Sequence, residues 1–182
     1  ILLLAAAALL LAATYGVYRI AFYSPNRRQN DDYSLARTPQ MDVLRDTITG
    51  MIRALNDVPF QRVYITSEDG LRLAGRFYFQ REGAPLGICF HGWRGTPSRD
   101  FSGGTRLYFA EGFNLLMVEQ RAQCGSEGHT MTFGVMERRD CLAWVRYAVE
   151  RFGPDTRIVL AGISMGAATV LMASGMELLR SW

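Results

Sequence analysis

Three short continuous apolar runs, residues 86–90, 115–118 and 158–161, are set apart by segments with helical periodicity. A strand covered on both faces has no polar side to show, so such runs are what a parallel sheet between two helical layers requires. Between Phe133 and Phe152, the residues Cys141, Trp144, Val145, Ala148, Val149 and Phe152 recur at i, i+3, i+4, while Glu137, Arg138, Arg146 and Glu150 take the other side. Residues 99–111 give a weaker helical pattern, because Gly103 and Gly104 interrupt it, yet Leu107, Phe109 and Ala110 can still pack. Upstream, Val63 and Ile65 alternate with polar neighbours, Ser67 to Gly70 supply a turn, and Leu71, Leu73 and Phe77 resume the alternation. This predicts a hairpin at the antiparallel edge of the sheet. The order hairpin, then strand, helix, strand, helix, strand, helix implies right-handed crossovers and a mostly parallel sheet with helices on both faces.

The front of the chain has a different character. Residues 1–18 carry no charge, and residues 1–13 are Ile, Leu and Ala alone. Eighteen helical residues span roughly 27 Å, close to the hydrocarbon thickness of a bilayer. Tyr15, Tyr18, Phe22 and Tyr23 then suit an interfacial belt, with Arg19, Arg27 and Arg28 among headgroups. A single-pass membrane anchor over residues 1–23 is the expectation; the rival is a cleaved signal peptide, since Ala12 and Ala13 end the run with small residues. The side of the membrane stays open, because the flank before the run is not part of the sequence.

Residues 24–57 read as a polar linker followed by an amphipathic helix. Thr38 is placed to cap that helix with Pro39 at its first position, and Leu44, Ile48, Met51, Ile52 and Leu55 fall on one face. That face is expected to pack on the domain that follows, residues 58–182, with the membrane surface as the alternative. The net charge of +3 comes from scattered arginines without a basic stripe, which gives no support to nucleic-acid binding. Cys89, Cys124 and Cys141 have no metal-ligand spacing and read as isolated, mostly buried thiols. No metal or organic cofactor is implied.

The chemistry is concentrated at two strand ends. Gly162-Ile163-Ser164-Met165-Gly166 follows a buried strand and opens a helix expected from Ala167 to about Leu178. A G-x-S-x-G sequence in that context is a nucleophile elbow, in which a strained turn exposes the serine Oγ near the positive end of the helix. Ser164 is therefore the candidate nucleophile. Acyl transfer also needs two backbone N–H groups aimed at the developing oxyanion. Met165, next to the serine, supplies one candidate, and Trp93, in the glycine-containing loop His91-Gly92-Trp93 after the first apolar run, supplies the other. His91 is expected to hold that loop by hydrogen bonds, and His129 to be a surface-loop residue.

Three blocks, His91-Gly92-Trp93, residues 119–128 and residues 162–166, resemble the α/β-hydrolases, and most closely bacterial membrane-anchored members related to the acylglycerol lipase, acyl-peptidase and acyltransferase-like branches. The likeness covers residues 60–175. The middle block is similar to the family's D-x-R-G-H-G-x-S-x-G stretch, but Glu119 stands where Asp is usual, and Ala122, Gln123 and Cys124 replace its glycine-histidine-glycine. Arg121 of that block is expected to form a salt bridge with Asp140 or Glu119. The resemblance implies an α/β-hydrolase fold whose serine is followed in the chain by an acid and then a histidine. Only 18 residues follow Ser164, so the chain reads as truncated, with the acid and base absent from it.

The function implied is hydrolysis of an ester, thioester or amide through an acyl-enzyme on Ser164, with a small-molecule or lipid-like acyl substrate. A catalytically inactive, membrane-tethered binding module of the same fold is the alternative. Acyl transfer to an acceptor other than water shares every visible residue.

Overall fold

The computed structural model of the chain describes residues 2–24 and 31–176. The apolar front forms one helix, α1 (Leu2–Ala21), with no buried residue along it. It is long and apolar enough to cross a bilayer. Part of the linker, residues 25–30, and the expected end of the last helix near Leu178 lie outside the described residues. Helix α2 (Pro39–Asn56) begins as its sequence requires, with the Thr38 Oγ1 accepting the Met41 N–H at 3.2 Å and Pro39 in the first turn. Its inner face buries Ile52 and Leu55 against the following layer, while Leu44 stays half exposed.

Five strands follow in one sheet: β1 (Gln61–Thr66), β2 (Arg72–Tyr78), β3 (Leu86–Phe90), β4 (Asn114–Glu119) and β5 (Ile158–Gly162), with spatial order β1-β2-β4-β3-β5. β1 and β2 are the antiparallel hairpin, β2 joins β4 antiparallel, and β4, β3 and β5 run parallel. The strand-to-strand crossovers are helical, through α3 (Pro97–Ala110) and α4 (Glu137–Phe152), and β5 leads into α5 (Met165–Ser174).

Alternation along the strands sorts the core into two layers. Leu86, Ile88 and Phe90 of β3 and Leu116 and Val118 of β4 meet Cys141, Trp144, Val145 and Ala148 of α4 and Ala173 of α5. Cys89, Leu115 and Met117 point the other way, onto Phe101 of α3 and Leu55 of α2. Two strands differ from their sequence reading. β2 is buried at six of seven positions rather than on one side, because α4 covers Phe77 while Tyr78 faces Phe109. β5 is only half buried despite its apolar run, because it pairs with β3 alone and its other edge has no partner strand among the described residues.

Candidate active site

Ser164 sits between the last residue pair of β5 and the first turn of α5, exposed, with φ 53° and ψ −113°. A side-chain-bearing residue enters that region only at a cost of about 1–3 kcal/mol, so the surrounding packing must hold it there. The flanking glycines show how. A Cβ on Gly162 would collide with the Gly166 backbone, and a Cβ on Gly166 would collide with the carbonyls of Phe90 and His91. The absence of both side chains lets the start of α5 close onto the end of β3, and the serine is left at the apex. Ile163 N–H donates to the Phe90 carbonyl at 3.1 Å, which fastens the turn to β3.

The loop after β3 lies directly against this turn: a Cβ at Gly92 would come within 3.4 Å of the Ser164 Cβ. The Gly92 N–H is already taken by Asp100 Oδ2 at 2.7 Å, so it is not available to a substrate. Neither the Trp93 N–H nor the Met165 N–H has an acceptor among the described residues. The structure thus brings Ser164, Met165 and the Trp93 loop together, at the positive end of α5.

His91 is fully buried and faces inward. Its Nε2 accepts the Gln120 N–H at 3.1 Å, which leaves the proton on Nδ1 to donate to the Gly92 carbonyl at 2.9 Å. Burial pushes the imidazole below its ordinary value and keeps it neutral. The Gln120 amide continues the chain of bonds, donating to the His91 carbonyl and accepting the Thr169 hydroxyl of α5 at 3.0 Å. His91 therefore holds the loop. His129 is near the end of α1 instead, 3.3 Å from the Ser24 carbonyl and stacked on Tyr23.

The middle sequence block is a web of buried charge beneath the loops. Arg121 grips Asp140 with two bonds of 2.6 and 2.7 Å, and also reaches Asp69. Glu119, the other candidate partner of Arg121, instead takes Arg62 through two bonds of 2.6 Å and Arg76 at 3.1 Å. Its Oε2 also accepts the Gly125 N–H at 2.7 Å, tying the 119–128 loop to the hairpin. Ala122 and Cys124 stand at φ 61° and 50°, the left-handed region that glycine occupies without strain. Both are positions where the resembled motif has glycine. All three cysteines are buried, and burial pushes Cys89 and Cys141 up to about 12, so the thiols of those two are inert at neutral pH.

Two residues that shape the site carry no motif of their own: Asp100, which occupies the Gly92 amide, and Gln120. Asp100 could have been located from Thr96 and Pro97, which start α3 and place the aspartate one turn in. Gln120 has no sequence signal beyond its place between Glu119 and Arg121.

No protein-family model matches the chain, and no curated protein does so either. Solved structures do. The esterase Pf2001 of Pyrococcus furiosus is 25% identical with a TM-score of 0.60, over 70% of this chain and 50% of its own. Est1E of Butyrivibrio proteoclasticus, solved with ferulic acid bound, is 25% identical with a TM-score of 0.54, over 63% of this chain and 47% of its own. XC6422 of Xanthomonas campestris, described as an α/β serine hydrolase without a lid, has a TM-score of 0.56 at 18% identity, over 64% of this chain and 56% of its own. The chain spans about half the length of these structures. Over that span, its sheet, its crossovers and its strand-turn-helix at Ser164 have the fold of the α/β-hydrolases.

Proposed function

We propose that this chain is the nucleophile and oxyanion-hole portion of a membrane-tethered serine hydrolase acting on an ester, thioester or amide. Ser164 attacks the acyl carbon, and the Met165 and Trp93 amides receive the charge that develops on its oxygen. The observation that carries the reading is the strained, exposed Ser164 at the glycine-flanked turn between β5 and α5. An inert binding module has no use for that strain, which is otherwise retained where it serves a site. Esterases among the similar structures support the same class of reaction.

In this reading the division of the chain is an anchor over residues 1–23, a linker and amphipathic helix over 24–57, and a hydrolase domain from 58. The general base is assigned to neither of the chain's histidines, because His91 has both ring nitrogens engaged in the core and His129 precedes Ser164, whereas the resembled family's chain order puts the histidine after the serine. The base and its acid partner are supplied from outside the described residues, and the acyl-enzyme is resolved by water once they are in place. Tethering at the membrane favours a lipid-like or otherwise acylated small-molecule substrate.

The test is steady-state and burst-phase hydrolysis of a p-nitrophenyl acyl ester by the full-length gene product. Ser164→Ala is expected to lower kcat by roughly 10⁴-fold or more, as loss of a triad serine does. A variant that retains the parent rate would remove Ser164 from the mechanism.

A further inference from the structure

A helix that merely tethers a domain ends in solvent, with its last carbonyls hydrated. α1 ends differently. The Ile20 carbonyl accepts from the Arg94 guanidinium and the Ala21 carbonyl from the Trp93 indole N–H, both at 2.9 Å. The chain beyond is fastened to the 129–133 loop by Met131 N–H to the Phe22 carbonyl and Ser24 N–H to the His129 carbonyl, both at 2.8 Å. Phe22 packs edge-on against Phe133 with ring centroids 5.5 Å apart, and Trp93 stacks with Phe133 at 6.3 Å. The loop that lies on Ser164 is thus bonded to the last turn of the apolar helix.

Depth follows from length. Twenty helical residues span about 30 Å, one hydrocarbon thickness, so when α1 crosses a bilayer its last turn lies at the headgroup boundary. The residues grouped there are those that favour this boundary. Trp93 and Phe133 remain 37% and 39% exposed, Arg94 lies over the Trp93 ring at 4.6 Å, and Arg19 lies over Tyr23 at 4.3 Å.

We propose that Trp93, Arg94 and Phe133 form, with the end of α1, a bilayer-docking surface that holds the Ser164 turn at headgroup depth. The occupant is the lipid interface rather than a second protein copy, because the surface continues from the end of α1, a helix that buries no residue and is Leu and Ala alone from Leu2 to Ala13. Resting on the hydrolase reading, the substrate is then an amphiphile whose acyl linkage lies at that boundary, with its chain in the hydrocarbon and its polar end toward the domain. It reaches Ser164 from the membrane.

The experiment is fluorescence quenching of the full-length protein in phosphatidylcholine vesicles. The Trp93 component is the emission lost on Trp93→Phe. Phospholipid brominated just below the carbonyls is expected to quench most of that component, and phospholipid brominated near the chain ends to quench little of it. Phe133→Trp placed on the Trp93→Phe background should restore an emission with the same depth pattern, which covers the case in which Trp93→Phe disturbs its loop. Ser164→Ala should leave quenching unchanged, so a failed hydrolase reading and a failed docking surface give separate results. A Trp93 component quenched by neither lipid, in protein that still resists carbonate extraction, overturns the proposal. Shielding that grows with the protein-to-lipid ratio overturns it too, by assigning the surface to a second copy.

Discussion

A histidine at a strand end beside a candidate nucleophile invites a catalytic role, but a base must offer a free ring nitrogen to the reacting group. His91 offers none, and its burial has a consequence that can be measured. The folded state keeps the ring neutral, whereas the unfolded chain takes up a proton below the ordinary value of 6.5. The unfolded state then binds more protons, and stability falls as pH drops. Between pH 7 and pH 5 this lowers the urea midpoint, against the buried Asp140 carboxyl, which is raised to about 6 and acts the other way; His91→Asn, though less stable throughout, should therefore lose less midpoint over that window than the parent, and an unchanged slope would mean that His91 titrates freely in the fold. Residue types alone showed which side chains carry charge, and they narrowed Arg121 to two partners. They could not choose, because the choice depends on where α4 brings Asp140 and β4 brings Glu119. The longer reach of Glu119 serves two arginines of that hairpin instead.

At the level of elements, α5 is positioned by what is missing from its first turn. Gly166→Ala would drive a methyl into the Phe90 and His91 carbonyls, and the helix start would have to withdraw from β3. The expected cost is about 3 kcal/mol, the upper end of overpacking, read as a lower urea midpoint. An unaltered midpoint would show that α5 does not approach β3 this closely. The same scale shows what a sequence reveals and what it conceals. Thr38-Pro39 located the start of α2, and Thr96-Pro97 carries the same signal for α3, with the Thr96 Oγ1 accepting the Arg99 N–H at 3.0 Å. The glycine pair in α3 masked that signal, yet the helix runs through Gly103 and Gly104, because Phe101 and Thr105 bury a face regardless of propensity. The apolar runs located β3, β4 and β5. Burial on both faces of β2 was not legible, since it depends on α4 crossing over a strand far from it in sequence.

Across the whole molecule, the parallel strands with crossover helices place the ends of β3, β4 and β5 on one edge, where ligand sites of open α/β sheets occur. The Trp93 loop, the 119–128 loop and the Ser164 turn all emerge there, and the end of α1 is bonded to the first of them. The grouping of the candidate residues at this edge was legible because their motifs follow apolar runs directly; the contact with α1 was not, because no periodicity couples residues 20–22 to residue 93. The proposed mechanism depends on Ser164 as the group that forms the acyl-enzyme. It is tested most directly by treating membranes that contain the full-length protein with a fluorophosphonate and mapping the adduct by mass spectrometry. A single adduct on the peptide carrying Ser164, lost in Ser164→Ala, is the predicted result. Labelling of that protein at another residue, or labelling that persists in Ser164→Ala, would contradict it.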